Sequence, residues 1–208
     1  GGTGKLGSGL ARRFLSKGFP VMIGSREKHR ADLKVTEFKE EFENVEVYGD
    51  EFSEAAKWGE IIFVTVPYRA QLDTIKQIKE DVLDKIVVDT TVPLNPKNPT
   101  DQLDLESSAA ENISNVLGER VKVVSGFHTV SHTVLNNINS DLDGDVLVCG
   151  DDEEAVKKVC SLVVDISGSP VHAGGLKNAR VLERLTPMII GMNKRYKKRH
   201  IGIKMTGL

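Results

Sequence analysis

Two runs of residues set the terms for this chain: "EIIFVTVP" at 60–67 and "KIVVDTTVP" at 85–93. Each is almost continuously apolar, and each closes on a proline. A strand with one wet face alternates apolar and polar residues, whereas a strand apolar along its length is buried on both faces. That burial calls for a parallel sheet with helices packed on either side. The residues between the two runs fit. Leu72, Ile75, Ile78, Val82 and Leu83 form a stripe at helical spacing across 68–83.

The same alternation runs through the first two thirds of the chain. Strands are expected over 19–26, 44–50 and 120–129, and helices over 26–43, 53–58 and 107–117. The stretch 94–104, "LNPKNPTDQLD", is polar with two prolines and reads as a mobile loop. Beyond it the character changes. Strands are expected at 145–150 and 169–173, with a helix at 151–166 that carries Asp151, Asp152, Glu153 and Glu154 at its start. Acids there face the positive end of the helix dipole. One long helix is expected from 176 to 196, bent at Pro187. The fold class is therefore α/β, a doubly wound parallel sheet with a smaller α/β C-terminal domain. The boundary is placed so that 1–125 is the first domain and 126–208 the second.

Composition narrows the function. A net charge of -2 gives no general attraction to nucleic acid or membrane. No apolar run approaches the ~20 residues of a membrane span, and no signal peptide is legible. Cys149 and Cys160 lack partners at metal-ligand spacing and read as buried thiols in a reducing compartment. The expected location is the cytoplasm. No metal cluster, nucleophile triad or paired carboxylates are legible.

The chain opens "GGTGKLGSGLARRF", in which Gly2, Gly4 and Gly7 fit G-x-G-x-x-G. The first glycine permits the tight turn, the second lets backbone N–H groups approach a pyrophosphate, and the third lets the helix pack closely on the sheet. That helix points its N-terminus at the anion. About 20 residues on, such a fold, of the Rossmann NAD(P)-binding kind, places a group beside the adenosine ribose. An acid there selects NAD. Here Ser25 and Arg26 stand in that place, with Lys28 and Arg30 behind them. A hydroxyl and guanidinium cluster suits a 2′-phosphate, so NADP is expected. Two strand ends complete the crevice, "VPYRAQLDT" from 66 and "TTVPLNP" from 91. Such a motif normally follows a strand, and none stands ahead of it here. The expectation is a truncated first strand and a gap in the sheet where it belongs.

Eight stretches, in order, carry a resemblance: "GGTGKLGSGLA", "IGSR", "VTVP", "KIVVDTTVP", "SSAAENI", "VVSGFHT", "VLVCGDDEEAVKKV" and "LKNARVLERLTPMI". The pairing of "CGDD" with the last is the most specific. The chain resembles the NADPH-dependent reductases of coenzyme F420, the F420H2:NADP oxidoreductases. That resemblance implies direct hydride transfer between nicotinamide and an 8-hydroxy-5-deazaflavin, with the rings held close and no side-chain nucleophile. Position by position it implies NADP contacts from Gly2, Thr3, Gly4, Lys5, Leu6 and Gly7, and from Ser25, Arg26 and Arg30. Pro67, Tyr68, Leu72, Val92, Pro93, His128 and Thr129 would line the nicotinamide end. Asn178 and Arg180 would face the deazaflavin. Related β-hydroxyacid dehydrogenases carry a lysine four residues past a glycine in their long helix. The corresponding place after Gly175 is Ala179, which argues against alcohol chemistry. The basic tail, with Lys194, Arg195, Lys197, Lys198 and Arg199, either steers an anionic coenzyme or forms a solvated face. Small-molecule cofactors and a homodimer through the long helix are the expected partners. Two readings stay open beside this one: an NADPH reductase of another acceptor (ferric ion, a flavin or a small imine), and a non-catalytic NADP(H)-binding redox sensor.

Overall fold

The computed structural model describes residues 1–103 and 106–208. Helix α1 spans Lys5–Ser16, followed by β1 Val21–Ser25, α2 Lys28–Glu41, β2 Val47–Glu51, α3 Phe52–Trp58, β3 Ile61–Val64 and α4 Tyr68–Ile78. Then come β4 Ile86–Asp89, a short pair β5 Leu94–Asn95 and β6 Asn98–Gln102, α5 Ala109–Leu117, β7 Lys122–Gly126 and α6 His132–Asn136. The chain continues with β8 Asp145–Gly150, α7 Glu153–Asp165, β9 Ser169–His172 and α8 Ala179–Arg195.

Five strands form the main sheet in the order β3-β4-β7-β8-β9. The pairs β3/β4, β4/β7 and β8/β9 are parallel, and β7/β8 is antiparallel. Helices cover both faces. On one, Val87, Val123 and Leu147 meet Ile75, Ile113 and Leu182. On the other, Val88, Val124 and Val148 meet Leu10, Phe14 and Val159. Successive strand residues point to opposite faces, which is why the apolar runs must be continuous.

The boundary expected at 125/126 falls on strand β7, and β8 and β9 extend the same sheet. The C-terminal third therefore adds strands and helices to one shared core. The loop expected over 94–104 is corrected in part. It folds as the antiparallel pair β5/β6. Asn95 turns it by accepting the Lys97 N–H at 3.0 Å, local turn chemistry that polarity alone did not signal. Asp104, at the end of that stretch, lies outside the described residues. The long C-terminal helix begins three residues late, after a 3₁₀ turn at Leu176–Asn178, and runs through Pro187 to Arg195.

Strands β1 and β2 stand apart as a two-stranded parallel piece. Between β1 and β3, where a gap was expected, lies a cavity of about 540 Å³ walled by Met22, Ile23, Ile62 and Phe63. The first two residues enter its end. Gly2 N–H donates to Gly24 O at 3.1 Å. A side chain on Gly1 would lie 2.5 Å from the Thr65 carbonyl carbon.

One buried cation organises the opposite face. Arg13 of α1 is 1% exposed. Its guanidinium donates to five backbone carbonyls: Leu135 at 3.1 Å, Ser140 at 2.8 Å, Ile166 at 3.3 Å, Val134 at 2.8 Å and Asn137 at 2.7 Å. All five donors are used, so the charge is dispersed over carbonyl dipoles in and just beyond α6 and at the C-cap of α7.

Candidate functional site

Parallel strands β1, β3, β4 and β7 all end at one edge of the fold, the edge at which open α/β sheets hold ligands. Helix α1 starts there. Its N-cap, Gly4, makes no side-chain cap, and its first turn has no acid. The first N–H groups therefore keep their donor capacity for something outside the helix. Gly7 is required by packing, because a Cβ would meet Gly1 O and Thr65 Oγ1, both at 2.6 Å. A Cβ on Gly4 would meet nothing closer than 3.4 Å, so the space in front of it is open. Thr3 and Leu6 are half-buried, and Lys5 is exposed.

The Gly2–Gly24 hydrogen bond sets this turn against the end of β1, where Ser25 is buried and Arg26 exposed. Lys28, counted with the cation cluster at the sequence level, turns away to Gly49 O at 2.9 Å and Asp50 at 3.0 Å. Arg30 lies 3.7 Å from Glu27. The charge excess at the start of α2 is thus largely answered by the chain's own carboxylates. Arg26 is in no ion pair among the described residues.

The rim follows the strand ends. Pro67 caps α4, Tyr68 is its half-buried first residue, and Leu72 lies one turn on. Val92 is half-buried and Pro93 buried beyond β4. Past β7, Phe127 takes φ 68°. This left-handed conformation is strained for an aromatic residue, at a cost of order 1–3 kcal/mol. Core packing holds it, since Phe127 is buried and edge-on to Phe63. The turn carries His128 and Thr129 inward, and both are buried. Thr186 of α8 fixes it by donating to His128 O at 2.9 Å.

Asn178 and Arg180 are committed elsewhere. Asn178 closes the turn before α8 by donating to Ala173 O at 2.6 Å. Arg180 grips Glu111 through two bonds of 2.7 Å. Glu111 completes a capping box with Ser108 at the start of α5, and the guanidinium beside it holds its pKa down at about 2. Asn178, expected to face the deazaflavin, thus serves the turn between β9 and α8, and Arg180, expected beside it, serves the α5–α8 junction.

The sequence reading missed a buried polar cluster behind the rim. Asp89 ends β4 and is 0% exposed; Glu183 of α8 is also 0% exposed, and His128 7%. One donor atom from each lies within 4.8 Å of the others. Asp89 Oδ1 accepts from Gln71 Nε2 and from the Thr91 N–H, both at 3.2 Å. Glu183 accepts the Ala109 and Ala110 N–H groups at 3.1 and 3.3 Å. Burial pushes the Asp89 carboxyl up to about 7 and the Glu183 carboxyl up to about 8, and it pushes His128 down to about 4. One signal was available in the sequence: Asp89 interrupts an apolar run, and Glu183 falls on the buried stripe with Ala179 and Leu182.

Comparison with known proteins now bears on this arrangement. Residues 2–93 match the family model described as NADP oxidoreductase, coenzyme F420-dependent. An F420-dependent NADP reductase of Methanocaldococcus jannaschii is 42% identical over 217 aligned residues, covering 100% of this chain and 96% of the relative. The chain belongs to the F420-dependent NADP reductases. A second member, from Methanothermobacter thermautotrophicus, is 35% identical over 100% of this chain and 93% of its own length. Among solved structures, one from Arthrobacter sp. FB24, provisionally named an F420-dependent NADP-reductase, superposes with a TM-score of 0.85. It covers 98% of this chain and 96% of that one. At 20% identity that likeness speaks for the fold. Among the described residues, no helix is long and apolar enough to cross a membrane.

Proposed function

We propose that this protein transfers a hydride between NADP(H) and the deazaflavin coenzyme F420. Full-length similarity to a reductase of that name, at 42% identity, carries the reading. The site's own geometry supports its nucleotide half. The uncapped start of α1 and the open space before Gly4 fit a pyrophosphate. Ser25 and the unpaired Arg26, set beside that turn, fit a 2′-phosphate. When bound, the two coenzymes supply the hydride chemistry between their rings.

The chain's part is to bind, orient and exclude water. Lys5, Leu6 and Gly7 offer backbone N–H groups to the nucleotide, with Thr3 and Arg30 at the margins. Pro67, Tyr68, Leu72, Val92 and Pro93 shape an apolar rim for the nicotinamide. His128 and Thr129, swung inward by Phe127, close its floor. The C-terminal third, from 126 onward, completes the deazaflavin side. A homodimer belongs to the same proposal. Val181, Met188 and Met192 of α8 and Tyr196 at its C-cap are exposed, at spacings that keep them on one face.

The decisive assay follows the deazaflavin's visible absorbance after adding NADPH or NADH. NADPH bleaches it and NADH does so far less. Arg26→Ala narrows that preference by roughly tenfold or more, the loss of about one charge-assisted bond. An Arg26→Ala protein that keeps the full preference refutes the 2′-phosphate assignment. Light scattering tests the dimer, and a monomer at working concentration removes it.

A further inference from the structure

We propose that Asp89, Glu183 and His128 form a buried proton store that feeds reduction of the deazaflavin. The inference rests on the functional reading above and deepens it. Moving one hydride from NADPH to the deazaflavin consumes one proton: NADPH, the oxidised deazaflavin and H⁺ give NADP⁺ and the reduced deazaflavin. The two electrons travel with the hydride. The proton has to come from the protein or from water, and the rim is built to exclude water.

The geometry points to these three residues. They arrive from separate elements, β4, the turn after β7, and α8, yet their donor atoms converge within 4.8 Å. Two carboxyls at that separation are removed from water. Among the described residues, no lysine or arginine forms an ion pair with either. Two adjacent carboxylates without a cation cannot both stay ionised in a low-dielectric interior, so the pair retains a proton. Among the described residues, three buried side-chain atoms have no hydrogen-bond partner, and all lie in this corner: Asp89 Oδ2, His128 Nδ1 and Oε1 of Gln71, which bonds Asp89. A proton held on this cluster turns one of its acceptors into a donor, which unpaired buried acceptors otherwise lack at a cost.

The surroundings keep that proton in. Glu183 is steadied by the α5 amides, and on the same side Glu111 is already neutralised by Arg180. From β8, the Cys149 thiol is pushed up to about 12, by burial first, and stays protonated. Ser125 Oγ lies 3.5 Å from His128 Nε2 and can serve either tautomer. From α4, Gln71 holds Asp89. Tyr68 stands half-buried at the rim, and its hydroxyl pKa is raised by burial and by both Glu183 and Asp89. It is the titratable group that senses the store from the cleft. In each reduction the carboxyl pair gives up one proton, gains one negative charge, and is reprotonated from water after the coenzymes leave.

Infrared spectroscopy of the cofactor-free protein tests the store directly, because the carbonyl stretch of a protonated carboxyl stands apart from that of a carboxylate. The expected result is a protonated-carboxyl band at pH 6 that titrates away as pH rises through about 7 to 8. Asp89→Asn and Glu183→Gln, nearly isosteric, each diminish it. In turnover, wild-type deazaflavin reduction falls across the same pH range, and in either variant that limb shifts or disappears. The wild-type titration stands even where a variant fails to fold. Absence of the band at pH 6, or a band untouched by both substitutions, overturns the proposal. So does native mass spectrometry showing a divalent metal ion at one equivalent that Asp89→Asn abolishes, since a cation would then replace the protons. The band is read without coenzymes, so its absence counts against the store whatever the acceptor. An intact band in a protein that never reduces the deazaflavin refutes the functional reading, and the supply role with it.

Discussion

Replacing Arg13 with alanine tests the argument that a buried guanidinium bound only to carbonyls holds α1, α6 and α7 together. Five bonds to a charged donor, at the low end of ~1.5 kcal/mol each, total about 7 kcal/mol. Removal also relieves the desolvation of the guanidinium. That burial pulls its pKa below the ordinary arginine value, and relief of it returns roughly 3 kcal/mol. The net loss is about 4 kcal/mol. A second route gives a similar figure. Two of the five bonds, to Leu135 O and Ile166 O, are fully buried. Those carbonyls would be orphaned at ~1–3 kcal/mol each, while the other three can take water. Urea unfolding measures the loss as a lower midpoint at unchanged slope. Arg13→Met separates packing from polarity. It refills most of the volume but makes none of the five bonds, so if polarity dominates it should lose about as much as alanine. Arg13→Lys, with three donors in place of five, should fall between. A loss below about 1 kcal/mol in both the alanine and methionine proteins refutes the reasoning.

Other outcomes follow from the same geometry. Gly7→Ala sets a methyl 2.6 Å from Gly1 O and Thr65 Oγ1. It should destabilise by about 1–3 kcal/mol and weaken nucleotide binding further, read by urea unfolding and by nucleotide titration. Glu111 has its carboxyl lowered from 4.5 to about 2. A depressed carboxyl stabilises the fold above its unfolded value, and that stabilisation is lost as pH falls from about 4.5 toward 2. Arg180→Met should flatten that part of the acid-unfolding curve, and an unchanged curve contradicts the pair. Ser108→Ala removes the cap of α5 and should cost about 1 kcal/mol in thermal or urea unfolding.

The parallel sheet was legible because burial on both faces writes itself into sequence as runs such as "IIFV" and "IVVD". The glycine turn was legible because backbone approach excludes side chains at Gly7. What stayed hidden depends on which groups meet across long separations. Nothing local says that Arg180 will spend its guanidinium on Glu111, or that Lys28 will turn to Asp50. The β5/β6 pair was hidden by its polarity, since a ribbon at the surface has little apolar face to show. Strand β8 was foreseen, but its antiparallel partnership with β7 was not. A strand that follows the parallel core joins its sheet or founds a new one according to what covers its neighbour's free side, and sequence spacing is silent on that. The Asp89 cluster needed three elements in register before its convergence became visible.

The seam between β1 and β3 gives the glycine turn a second meaning. Its residues touch Gly24 on one sheet piece and Thr65 on the other. Across the cavity, β1 and β3 each leave an edge without a strand partner among the described residues. A molecule seated on that turn acts as a clasp, fastening two bodies that are otherwise joined by loops and side-chain packing. Part of its affinity is then spent on closing the seam. Amide exchange in β1 and β2 should be fast in the free protein and slow in the bound one, while β4 and β7, paired on both sides, keep one slow rate throughout. Nucleotide affinity and the exchange rate of β1 would then be two readings of a single free energy.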